Sequence, residues 1–186
     1  MAKLNVIGMD PSMSNWGLAC GQFDTTSNTL NLKYIEVVQT SKSQDKKIRV
    51  NSDDLNRSTE ITTRVLEVIK EAQAIFVEVP VGSQSAAAMK SYGMCIGILS
   101  AIRASGKPFH LLTPTDLKVM ACRSKTASKA DMIQWAVQKY PHLNWPRNTK
   151  GEVIASKAEH MADACAAAEY GVFHHNDFKL ALAMLS

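Results

Sequence analysis

No two of the four cysteines (Cys20, Cys95, Cys122, Cys165) stand at CxxC spacing, so a zinc ribbon is not expected. Each lies in an apolar or helical setting, the pattern of buried free thiols in a reducing compartment. No run of about 18 apolar residues occurs, which excludes a helical membrane span. The opening MAKLNVIGMD lacks an apolar stretch followed by a small-residue cleavage site. A cytoplasmic location is the expectation. Glycine-rich nucleotide loops are also missing. What is present is ordinary for a globular chain: 46% hydrophobic and 20% charged residues. That composition excludes disorder over most of the length, as well as collagen-like and coiled-coil architectures. The length of 186 residues predicts one domain, 1–186.

The formal net charge is only +4, but it is unevenly spread. Residues 103–157 hold ten basic and three acidic side chains, and the remainder is net acidic. Such asymmetry suits a polyanionic partner meeting one face. A solvated helical surface would give the same composition.

Hydrophobic patterning places strands at 4–9, 16–23 and 30–38. The connections between them are too short for parallel crossovers, so the three are antiparallel neighbours. Segment 39–59 is polar and reads mostly as a mobile loop. A helix is predicted over about 53–72, then a strand at 74–79 stopped by Pro80, a long helix at 85–105 and a last strand at 109–112. Three helices follow: one opened by Thr113-Pro114-Thr115-Asp116, one capped by Thr126 or Ser128 and running to Tyr140, and one over about 154–172. Segment 178–185 is a candidate final helix. The order predicts an α/β fold, a five-stranded mixed sheet flanked by helices on both faces.

Asp10 ends the first strand before Pro11, although Asp-Pro is also an ordinary turn start. Glu78 sits in AIFVEVP with apolar neighbours on both sides. A charge there costs several kcal/mol, on the order of the usual burial penalty, unless it is paired or metal-bound. His160 and Asp163 share a helical face in KAEHMADACAAAEYG. Alanines surround Asp163, so this helix can approach a sheet closely. Alone, His160 reads as a surface histidine, and Glu159 is the alternative acid one residue off the face. Together, three carboxylates and an imidazole form an oxygen-rich set of the kind that binds Mg²⁺ or Mn²⁺. Two such ions can drive phosphodiester hydrolysis.

Four blocks carry a resemblance to the RuvC-type Holliday junction resolvases. GMDPSMSNWGLA resembles the family's first strand and turn, and IFVEVP its second acidic strand. PTDLKVMACRSKTASKADMIQWAV resembles its basic segment, with Lys118 and Lys129 eleven residues apart. EHMADACAAAEYG resembles its closing helix. The resemblance covers about residues 4–20, 74–105 and 108–172. It implies a ribonuclease-H-like fold, a homodimer and metal-dependent cutting of branched DNA, Holliday junctions above all. It implies that Asp10, Glu78, His160 and Asp163 are the catalytic residues and hold two Mg²⁺ or Mn²⁺ ions. Lys118 and Lys129, read as opening two successive helices after the last strand, are implied to face phosphates, and Arg123 and Lys125 lie in the same DNA-binding segment.

Ser12 stands where many members have Gly, and Val81 where some place an aromatic wedge. Segments 39–59 and 140–153 are longer than usual, a pattern that resembles phage-encoded members. Two other readings share the fold: a junction-binding protein without cleavage, and an actin-like or sugar-kinase-type ATP-binding protein. The second normally requires about twice this length. The homodimer is expected on the long helix, through Ala86, Met89, Tyr92, Gly93, Ile96, Ser100 and Arg103, because apolar residues occupy more than one of its faces.

Overall fold

Alternation along the strands divides the core in two. In β1 (Lys3–Asp10), Ile7 and Met9 face one side and Val6 and Gly8 the other. The computed structural model describes residues 3–79, 82 and 85–185. Strands β2 (Asn15–Asp24) and β3 (Thr29–Gln39) continue antiparallel from β1 as a meander. Strands β4 (Ala74–Glu78) and β5 (Phe109–Leu112) add in parallel on the other side, giving the order β3-β2-β1-β4-β5. The five-stranded mixed sheet and the antiparallel start are as the sequence predicts. Residues 74–77 of β4 are all buried, in keeping with a parallel strand covered on both faces.

Parallel pairs need crossovers, and two helices supply them. Helix α1 (Val50–Val68) runs through a 3-10 turn (Ile69–Glu71) into β4, and α2 (Ala86–Ala104) leads to β5. Both pack on the Ile7/Met9 face with Trp16, Leu18, Ile75 and Val77. The opposite face is covered by α3 (Pro114–Cys122), α4 (Lys129–Lys139), α5 (Ala155–His174) and α6 (Asn176–Leu185). Ser128, not Thr126, caps α4, in a reciprocal box with Asp131.

Two expectations change. Segment 39–59 is not mostly loop: only 40–49 lacks regular structure, and the helix begins at Val50. Its inward stripe runs Asp54, Arg57, Ile61, Val65, so two charged residues occupy core-facing positions at helical spacing. They face each other at 3.7 Å. Likewise, Lys118 does not open a helix: it is the fifth residue of α3, which Thr113 caps. The long segment after α4 proves to guard an edge. Asn144 exchanges two hydrogen bonds with the backbone of Ile35 in the edge strand β3, and His142 bonds the Leu32 carbonyl. Trp145 is buried there, its indole N–H donating to the Tyr140 carbonyl.

Candidate active site

The parallel register sets Asp10 beside Glu78. The last pair of β1 and β4 is Met9↔Val77, and the next residue of each strand is the carboxylate. Both share parity with Val6, Gly8, Ala74 and Phe76, so both side chains belong to the α5 face. Helix α5 lies unusually close to the sheet. A Cβ on Gly8 would meet the Ala164 carbonyl at 2.0 Å, and one on Gly17 the His160 carbonyl at 2.1 Å. With alanines at 162, 164, 166, 167 and 168 buried beneath it, the helix presents His160 and Asp163 to the strand ends.

The four groups interact directly or through their fields. His160 Nδ1 lies 2.5 Å from Asp10 Oδ2. Burial raises the Glu78 carboxyl well above the usual carboxylate range, and the charges of Asp10 and Asp163 add to it against the pull of Lys118. Asp163 is pushed up to about 7 by burial, then by Asp10 and Glu159, with His160 and Lys118 opposing. For His160, burial works against protonation, but the hydrogen bond and charge of Asp10 outweigh it and the imidazole is raised. Among the described residues no three His, Cys, Asp or Glu side chains stand in ready ligand geometry. The donors are arranged around one another: His160 occupies an Asp10 oxygen, and two acids are held toward their neutral forms. Such a crowd of half-buried carboxylates has the donor chemistry for a hard divalent cation.

The basic residues divide. Lys118 is half-buried and within electrostatic reach of Glu78 and Asp163. Lys129, the first residue of α4, is ion-paired with Glu159 Oε1 at 2.5 Å. Glu159 is therefore no rival to Asp163 at Asp10; it ties α4 to α5 beside the site. Arg123 ends α3 in a left-handed conformation (φ 56°) and Lys125 follows it, both exposed. Val81 lies outside the described residues.

The sequence reading misses Arg57. This buried guanidinium donates to the Met13 carbonyl at 2.8 Å, to Ser14 Oγ at 3.3 Å and to Thr40 Oγ1 at 3.0 Å. It thereby braces the turn that follows Asp10. Its signal was available: an arginine on an apolar helical stripe, four residues before Ile61 and eight before Val65.

No protein-family model matches the sequence, and no curated protein matches it. Solved structures do. Thermus thermophilus RuvC in complex with a Holliday junction substrate aligns with TM-score 0.64 and 23% identity, covering 97% of this chain and 96% of that one. Fowlpox virus resolvase with its substrate Holliday junction DNA aligns at 0.59 and 16%, over 90% and 96% of the two chains. The yeast mitochondrial Holliday junction resolvase Ydc2 aligns at 0.57 and 15%, over 95% and 83%. At these identities the likeness is one of fold, and the chain shares the ribonuclease-H-like fold of the RuvC-type resolvases across nearly its whole length.

Proposed function

We propose that the protein is a metal-dependent endonuclease that cuts branched DNA, resolving four-way junctions by paired symmetric hydrolysis. One observation carries this: Asp10, Glu78, His160 and Asp163 converge at one sheet edge. They do so in a fold that RuvC and the fowlpox resolvase use with junction DNA. Asp10, Glu78 and Asp163 would supply oxygens to the cations, with His160 completing the set. Two Mg²⁺ or Mn²⁺ ions bound there would activate water and steady the leaving oxygen of a phosphodiester.

The chain's own contribution is positional. The register fixes Asp10 beside Glu78, Arg57 holds the turn after Asp10, and the alanine-lined α5 sets the depth of Asp163. Lys118, close to the acids, is placed to neutralise a phosphate entering the site. Lys129, Arg123 and Lys125, farther along the same segment, would contact the DNA backbone. No helix among the described residues is long and apolar enough to cross a membrane. The reading includes a single domain over 1–186, a cytoplasmic place of action and a homodimer on α2. The α2 residues Ala86, Met89, Gly93 and Ser100 face outward, while Cys95, Ile98, Leu99 and Ile102 face the sheet.

The test is cleavage of labelled four-way, Y and flap DNA side by side, in Mg²⁺, in Ca²⁺ and in chelator. Paired cuts in Mg²⁺ and none in the other two are expected. Ca²⁺ accepts looser, longer coordination, which misplaces the water and the leaving oxygen. Retention of every substrate without cutting in Mg²⁺ would replace the nuclease with a binding protein.

A further inference from the structure

The strand ends that carry the site also carry a second basic element, on the other side of it. Strand β3 runs parallel to β1, because each is antiparallel to β2, so Gln39 ends at the same sheet edge as Asp10. Segment 40–49 leaves from there. Its base is pinned to the turn after Asp10, with Thr40 N–H donating to the Ser14 carbonyl at 3.1 Å and Arg57 bonded to Thr40 Oγ1. In the sheet order this segment lies beyond β2 from Asp10, and α3 with Lys118 lies beyond β4 from it.

Residues 41–49 hold four basic side chains, Lys42, Lys46, Lys47 and Arg49, against one acid, Asp45. Outside this segment and residues 103–157 the chain has seven basic and thirteen acidic residues, so the segment is a basic island in an acidic surround. Its charges are sorted. Asp45 accepts the Lys47 backbone N–H at 2.9 Å, and Asp53 of α1 accepts that of Ser43 at 3.2 Å. All of residues 41–49 are exposed, and none of the four cations is ion-paired with a described residue. By contrast Lys90, which lines the same cavity as Lys42, is already paired with Asp54.

From this we infer that Lys42, Lys46 and Lys47 form a backbone contact for a duplex DNA arm, on the β3 side of the catalytic edge. The inference rests on the nuclease reading above. With strands about 4.8 Å apart, β3 stands roughly 10 Å from β1. DNA lying across the sheet edge would therefore reach Lys118 on one side of the cut and this segment on the other. Backbone lysines carry affinity and salt dependence but no sequence information.

The test compares binding of a labelled synthetic four-way junction over a salt series, with single-turnover cutting at saturating protein. The triple variant Lys42→Gln, Lys46→Gln, Lys47→Gln is set against a control of equal charge change, Lys33→Gln, Lys70→Gln, Lys179→Gln. The single Lys47→Gln variant gives a smaller step of the same kind. The expected slope of log affinity against log salt falls by about 2–3 in the loop triple and about 0.9 in the single variant, and by far less in the control. Cutting at saturation stays intact. If wild type binds and cuts while the loop triple matches the control, the arm contact is overturned and the nuclease stands. If wild type neither binds nor cuts branched DNA, both fall.

Discussion

At the scale of single residues, the site is a crowd of acids restrained by one imidazole and by burial. Asp10→Asn, Glu78→Gln and Asp163→Asn keep shape and remove the charge that would hold cations. Each is expected to reduce junction cutting below detection while junction affinity stays within about tenfold of wild type, since phosphate contacts dominate binding. A mutant that cuts at the wild-type rate removes its residue from the site. His160→Asp, which puts a metal-binding carboxylate oxygen in place of the imidazole nitrogen, should retain activity. The raised acids also predict how the metal-free protein responds to pH. In the folded chain Asp163 keeps its proton up to about 7, and Glu78 keeps its proton higher still, whereas the unfolded chain releases both in the ordinary carboxylate range. Folded protein therefore binds more protons across that window, and stability falls as pH rises through it, by at most about 1.4 kcal/mol per pH unit for each group. His160, raised by Asp10, acts with the same sign: its contribution is present at low pH and lost as pH climbs through its folded value. Thermal midpoints measured in chelator should thus decline from about pH 5 to about pH 8. Mg²⁺ should restore more at the upper end, and Glu78→Gln should flatten the decline. A wild-type slope in Glu78→Gln would remove that residue from the account.

At the scale of elements, the decisive contact is α5 on the sheet. Gly17 sits under the His160 carbonyl with no room for a Cβ. Gly17→Ala must push α5 away from β2 just where His160 and Asp163 are presented. Overpacking of this kind costs about 1–3 kcal/mol, and cutting should fall more than stability alone explains. Denaturant unfolding and single-turnover cutting on the same variant check this; unchanged cutting would mean that the depth of α5 is not critical. The sequence makes parts of this arrangement legible. Buried parallel β4 reads as an unbroken apolar run, which makes Glu78 conspicuous, and the alanines around Asp163 announce a helix that packs closely. Other parts are hidden for physical reasons. The start of α1 looks like loop because Asp54 and Arg57 occupy its core stripe, Asp54 paired with Lys90 and Arg57 bonded to Met13, Ser14 and Thr40, so hydrophobicity alone cannot reveal the period. The Lys129–Glu159 tie depends on how α4 crosses α5, a tertiary fact with no local pattern. The interior position of Lys118, by contrast, is legible, because Thr113-Pro114-Thr115-Asp116 marks where α3 starts.

At the scale of the whole molecule, the paired cuts proposed above would require two sites related by a two-fold axis, and the outward face of α2 is the surface proposed for it. Its outward face includes Gly93 and Gly97, one turn apart, and a Cβ built on either meets none of the described residues within 4 Å. Inside the monomer these glycines fill no tight space, and glycine in a helix interior costs about 1 kcal/mol relative to alanine. Their absence of side chain is useful if another backbone must approach closely, as a second copy of α2 would. Gly93→Glu with Gly97→Glu is therefore expected to leave the monomer folded and no less stable, because the added Cβ atoms displace none of the described residues. The same change places two carboxylates from each copy in the shared interface, where like charges repel with little water to screen them. Wild type should sediment at twice the 20.4 kDa chain mass at micromolar concentration, and the double variant at the chain mass. On a four-way junction the variant should nick one strand at a time instead of making paired cuts. Unchanged thermal unfolding would show that the fold is intact. A double variant that still sediments as a dimer would move the two-fold axis off α2, and a wild-type monomer that makes paired cuts would remove the dimer from the mechanism.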